Sequence, residues 1–214
     1  MFLALKLGTS FSIAGGRAIF LDTVADRYVC LAPDLDALFQ AILQLRRPIA
    51  AQETPERLLA SGLFELQPAA RAIKPFVQRD EPKGDFTHDG QRSLIAHLPV
   101  GIAMLAITSI ALRYRGFHAV MEGPHIDNSW DVSPHLGAII SAHRLLGLGT
   151  RAHQTCLVRS VALKRHLARH ALGSRLVLGV QARPFKAHCW LQHEHMILND
   201  TLETVRDFVP LFEV

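Results

Sequence analysis

A thiol, an imidazole and a carboxylate follow one another in the last third of the chain, at Cys156, His188 and Asp200. Each has a distinct chemical use. A cysteine thiolate attacks a carbonyl carbon, a histidine moves the proton, and an aspartate holds the imidazole in one tautomer and stabilises its charged form. Together they would cleave or transfer an acyl group at an amide. Taken singly they are ordinary: Cys156 also fits a small core cysteine, His188 a solvated strand histidine, and Asp200 a turn residue closing a strand.

Their use depends on the elements that carry them. The segment from Cys156 to His170 contains no Gly or Pro, and Leu157, Val161, Ala168 and Leu172 fall on one helical face. Thr155 is a suitable N-cap and Gly173 a suitable stop. Cys156 would then open a helix, where unpaired N–H groups and the positive end of the dipole favour thiolate. Its backbone N–H would serve as one oxyanion donor, with Gln154 as a candidate for a second. Downstream, Arg175 to Ala182 reads as a strand. Ala187 to Gln192 and Met196 to Asn199 read as a hairpin around His193-Glu194-His195. A three-residue loop centred on Glu194 would place His188 opposite Asp200, with Trp190 facing Leu198 and Gln192 facing Met196. A slip of one residue would reverse the face of Asp200.

Two other constellations compete. His188, Cys189, His193 and His195 contain metal-ligand types, but no spacing matches a zinc site and Cys189 would point away from His188, so no metal site is assigned. Cys189 as nucleophile would lack a helix end in mid-strand.

The rest of the chain reads as α+β. Residues 1–80 form one unit, in which Phe2 to Leu7, Arg17 to Asp22 and Arg27 to Leu31 make a three-stranded meander. Two helices follow, Asp34 to Leu45 behind Pro33, and Thr54 to Ala60 with Thr54 as cap and Pro55 at its first position; Leu63 to Leu66 is a short returning strand. A polar stretch, VQRDEPKGDFTHDG at 77–90, marks the linker between domains, with bounds set at 81–92, and 93–214 is the second domain. There, residues 94–112 are the most apolar run. His97, Pro99 and Gly101 interrupt its first third, which favours a buried core helix over a stable membrane span. Leu136 to Leu146 is a further helix.

Composition sets outer bounds. The chain has 214 residues with 49% hydrophobic content, enough for one average domain or two small ones. Three cysteines, Cys30, Cys156 and Cys189, form no paired framework, and the N-terminus has no basic region ahead of its apolar stretch, so a reducing cytoplasm is expected. The net charge of +4 is dispersed and singles out no acidic partner. Asp34 to Leu45 carries two aspartates and no Lys or Arg, which argues against a DNA recognition helix and a nucleic-acid partner.

The runs CLVRSVALKRHLARH, LVLGVQARPFKAHCWLQ and ILND, strongest over residues 150 to 205, resemble the leader peptidase of lasso-peptide biosynthesis, the B protein. That resemblance implies a transglutaminase-like, papain-related cysteine peptidase domain with Cys156, His188 and Asp200 as triad. It also implies an N-terminal RiPP recognition element, winged-helix-like with a three-stranded sheet, which binds the leader of a precursor peptide as an added strand. Arg27 to Leu31 would be the receiving edge, with Tyr28 and Cys30 on it and Leu58 on the other wall of the groove. Partners implied are the precursor peptide and an asparagine-synthetase-like cyclase. ATP-dependent cleavage is linked to the family, but the chain has no GxxxxGK[ST] loop, and no cofactor is assigned. Transglutaminase-like acyl transfer and a non-catalytic, precursor-binding chaperone are the alternative activities.

Overall fold

The computed structural model describes residues 1–87, 94–121, 135–147 and 152–214. The chain divides into two compact units. One comprises Met1–Val77 with Val180–Lys186 and Val209–Phe212; the other comprises Gln78–Gly179, Ala187–Phe208 and Glu213–Val214.

The N-terminal unit is built on four strands, β1 (Phe2–Leu5), β2 (Thr9–Ala14), β3 (Arg17–Asp22) and β4 (Arg27–Cys30), then α1 (Pro33–Gln44), α2 (Glu56–Ala60) and β5 (Phe64–Gln67). The meander is β2-β3-β4, and β1 instead pairs antiparallel with β5. The sequence reading missed β2. Its alternation is disguised by Ser10 and Ser12, whereas Gly15 and Gly16, both at positive φ, close the hairpin to β3. Thr54 does not cap α2. Its hydroxyl donates to the Ala50 carbonyl and Pro55 takes the cap position. The core is aromatic: Phe39 on α1 lies 5.1 Å from Phe11, 5.3 Å from Phe20 and 5.2 Å from Phe64 between ring centroids. Four rings from three strands and a helix interlock edge-to-face and offset, as their quadrupoles favour.

The C-terminal part of the chain continues with β6 (Gly84–Asp85), α3 (Leu94–Met121), α4 (Leu136–Gly147), α5 (Ala152–Ala168), β7 (Arg175–Gln181), β8 (Lys186–His193), β9 (Met196–Ile197), α6 (Leu202–Val205) and β10 (Val209–Glu213). Its sheet has the order β10-β7-β8-β9-β6. Residues 84 and 85, within the stretch read as a linker, pair in parallel with β9, and Arg175 bridges to Asp80.

The apolar run does form one helix, α3, but it is not a core helix. Only 17% of its most apolar window is buried, with Ile95, Ile102, Ile107, Ile110 and Tyr114 exposed. Among the described residues, Leu94–His118 is long and apolar enough to cross a membrane. Ahead of Gly116 its buried residues are small or polar, His97, Gly101 and Thr108; beyond it Phe117 and Val120 are buried, and the helix packs on α4 and α5. Gly101 is needed there because a Cβ would lie 2.8 Å from the Leu146 side chain. Pro99 is accommodated because it sits near the helix start and forfeits a single ladder bond. Gly116, at φ 74°, breaks the helix near its end.

Behind the sheet, Val177, Trp190, Ile197, Val205 and Phe208 form a compact cluster. Gly179 lets Trp190 lie flat on β7, since a Cβ there would meet Trp190 and Phe208 carbons at 2.9 Å. Gly179→Ala is therefore expected to cost about 1–3 kcal/mol through overpacking, measured by urea denaturation. A neutral substitution would refute this account of the glycine.

Candidate active site

Strand β8 and helix α5 present the three sequence-identified residues to one another, by a route that differs from the expected hairpin. The β8–β9 turn has two residues, Glu194 and His195, with Glu194 at φ 47°. The register pairs Gln192 with Ile197 and His193 with Met196, one residue away from the three-residue loop. Continued as a ladder, this slip would turn Asp200 to the wrong face. The ladder runs one bond further, from the Leu198 N–H to the Leu191 carbonyl at 2.9 Å, and stops there. β9 ends at Ile197, and the chain bends through 198–200 while Asn199 replaces the missing strand. Its Oδ1 accepts from the Leu191 N–H at 2.7 Å and its Nδ2 donates to the Ser160 hydroxyl at 2.8 Å. The bend delivers Asp200 Oδ2 to His188 Nε2 at 2.6 Å. Asp200 Oδ1 accepts from the Thr201 N–H at 2.8 Å, which fixes the carboxylate.

His188 lies with its ring against Phe208, 5.0 Å between centroids, and near Trp190 at 6.3 Å. With Nε2 committed to Asp200, the buried Nδ1, which has no other hydrogen-bond partner among the described residues, is the nitrogen left for a thiol. Burial pulls the imidazole pKa down, but the Asp200 hydrogen bond, Cys156 and the charges of both outweigh it and hold the ring up to about 9.

Cys156 is half-buried on α5. The helix starts at Ala152, four residues before the start that a Thr155 cap would give, so Cys156 is its fifth residue. The side chains of Gln154 and Thr155 lie outside the described residues. In an α-helix of this extent the Cys156 N–H bonds the carbonyl four residues back, so it is not one of the open amides expected to form an oxyanion hole. The acidity of the thiol therefore has another origin than the helix end. Hydrogen bonding from the Cys189 thiol, then the hydrogen bond and charge of His188, hold Cys156 down to about 4 against the opposing effect of burial.

Cys189 thus belongs to the site, contrary to the reading that turned it away. β8 directs its thiol toward α5, where Sγ lies 3.7 Å from the Ser160 hydroxyl oxygen, one helical turn beyond Cys156. Its own pKa is pushed up, first by the bond to Cys156 and then by burial, so it remains a thiol. Ser160 completes the junction by donating to the Cys189 carbonyl at 3.3 Å. Sequence reasoning did not single out Ser160 or Asn199. The i, i+4 spacing of Cys156 and Ser160 is the one signal that places the serine on the nucleophile's helix face.

Residues 104–213 match the family model of the transglutaminase-like superfamily. The chain belongs to that superfamily. The matched stretch contains Cys156, His188 and Asp200, and members of the superfamily are typically cysteine-dependent enzymes. No curated protein and no solved structure matches the chain.

The residues named for peptide binding lie in the N-terminal unit. Tyr28 and Cys30 are on β4, an edge of the three-stranded sheet; Cys30 is exposed and the Tyr28 ring meets Phe185 at 5.7 Å. Leu58 has no exposed surface and is part of the core, so it offers no wall to a groove. His193 and His195 are held elsewhere than the Cys156 site, with His195 Nδ1 2.9 Å from the Glu81 carbonyl oxygen.

With Cys156 near 4 and His188 near 9, the thiolate–imidazolium pair spans the interval between. Alkylation of Cys156 by iodoacetamide should be almost as fast at pH 6 as at pH 8, whereas an ordinary thiol, with a pKa of about 8.5, would slow by more than tenfold. Asp200→Asn removes an influence that raises His188, so the imidazolium should be lost at lower pH. Mass-spectrometric rates across pH check both, and a Cys156 rate that climbs only in alkali would refute the ion pair.

Proposed function

We propose that the protein is a cysteine peptidase that holds a ribosomally made lasso-peptide precursor by its leader and hydrolyses the bond joining leader to core. The observation that carries the reading is the 2.6 Å His188–Asp200 hydrogen bond beside an acidic Cys156 in a transglutaminase-like chain. The motifs around these three residues, CLVRSVALKRH, ARPFKAHCW and ILND, support the narrower substrate.

In this mechanism Asp200 orients His188, and the Cys156 thiolate adds to the scissile carbonyl. His188 gives its proton to the departing amine, which becomes the free N-terminus of the core. The leader remains as a thioester on Cys156. His188, now neutral, takes a proton from water, and the resulting hydroxide equivalent releases the leader carboxylate and restores the thiol pair. The freed amine is what an asparagine-synthetase-like cyclase would use to close a macrolactam.

Recognition of the leader fits the edge strand β4. Its outer side can receive an extended peptide, with main-chain hydrogen bonds supplying affinity and alternate side chains selectivity. Three free cysteines fit a reducing, cytoplasmic setting.

Incubation with the precursor peptide, with and without the cyclase and ATP, should yield a shortened core and an intact leader by mass spectrometry. Cys156→Ala should abolish cleavage, and Asp200→Asn should lower it by roughly two to four orders of magnitude. A ligated or crosslinked product would identify acyl transfer instead, and unchanged maturation with Cys156→Ala would identify a non-catalytic binding protein.

A further inference from the structure

A second cluster of chemistry-bearing side chains lies at the opposite end of α5 from Cys156. His166 and His170 are one turn apart, and His97 on the buried stripe of α3 faces them. One ring nitrogen from each of the three lies within 4.8 Å of the others. His135, immediately before α4, joins them, with its ring 5.6 Å from His97 and 5.1 Å from His170. We propose that His97, His166 and His170, with His135 as fourth imidazole, bind one divalent transition-metal ion of the zinc class.

Three observations converge on this site. First, His166 is wholly buried and, among the described residues, its Nε2 has no hydrogen-bond partner. A buried polar atom with an open lone pair is costly unless something occupies it. Second, the other nitrogen of the same ring is held, His166 Nδ1 lying 3.1 Å from His143 Nε2. If Nδ1 carries the proton and donates to His143, the tautomer leaves the Nε2 lone pair free. This is the outer support typical of a metal-binding histidine. Third, the His97 ring stands 5.4 Å from that of His166 and 5.6 Å from that of His170 between centroids, so imidazoles from separate helices converge on one place. Neutral imidazole is the ligand form.

The present separations suit an ion with small rearrangement. At metal–nitrogen distances of about 2.0–2.1 Å, tetrahedral ligand nitrogens stand roughly 3.3 Å apart, so the rings would close by about an ångström or more through rotamer adjustment. Four imidazoles leave no open position, the mark of a structural site. Such an ion would tie α3, the start of α4 and the end of α5 together, at a distance from the thiol chemistry. It requires no part of the peptidase reading.

The test uses untagged, chelator-treated full-length protein titrated with Zn²⁺ by calorimetry and with Co²⁺ by visible absorption. One equivalent should bind, with the intense ligand-field bands of tetrahedral cobalt. The melting temperature should rise by roughly 5–10 °C when free Zn²⁺ is a hundredfold above Kd. His97→Gln and His170→Gln should each weaken binding at least about tenfold, whereas Cys156→Ser should bind as the wild type does. In the wild-type protein Zn²⁺ should protect His170 from diethyl pyrocarbonate, read by peptide mass spectrometry, which covers the case of a variant that fails to fold. Absence of saturable binding, binding indifferent to both histidine variants, loss of binding in Cys156→Ser, or unprotected His170 would each overturn the proposal.

Discussion

The hydrogen bond between His188 and Asp200 is the constraint around which the C-terminal unit is organised. It requires a carboxylate to reach an imidazole from a strand whose register would carry it to the wrong face. The chain resolves the conflict by ending β9 after two residues and bending. Asn199 stands in for the lost strand, satisfying the Leu191 N–H and tying the bend to Ser160 on α5. Through Ser160 the same network reaches the Cys189 carbonyl and thiol, and so the neighbourhood of the nucleophile. The rigidity of the acid–base pair thus derives from side-chain amide and hydroxyl groups, each with both donor and acceptor engaged.

Two neighbouring thiols acquire opposite characters at this junction. Cys156 is acidic because it accepts a hydrogen bond from Cys189 and sits beside a charged imidazole. Cys189 is pushed toward the neutral form because it donates that bond and is buried. Their environments, one on α5 beside His188 and one buried on β8, separate an acidic thiol from a neutral one. The same helix shows the contrast along its length, with Cys156 beside a charged imidazole near its start and, near its end, His166, whose pKa burial foremost lowers.

Much of the frame was legible locally. Helices α1 and α4 were found within a residue or two from the spacing of their apolar residues, and β3 from its β-branched and aromatic content. β2 was not, because its serines weaken the alternation. The burial of α3 was misjudged because apolar composition alone does not say which face packs: His97, Gly101 and Thr108 turn inward, and the isoleucines outward. Leu58 was assigned to a surface groove that the aromatic core around Phe39 leaves no room for it to line.

The sequence by itself determined which three residues could act together and which elements carry them, since nucleophile, base and orienting group need particular side-chain types on a helix and two adjoining chain segments. Only the tertiary structure decided how they meet. Register, the bend at 198–200, the approach of Cys189 to Cys156 and the gathering of histidines from separate helices all depend on contacts between residues distant in the chain. Such contacts are set by packing and by the satisfaction of buried polar groups, which act in three dimensions and leave no periodic mark along the chain.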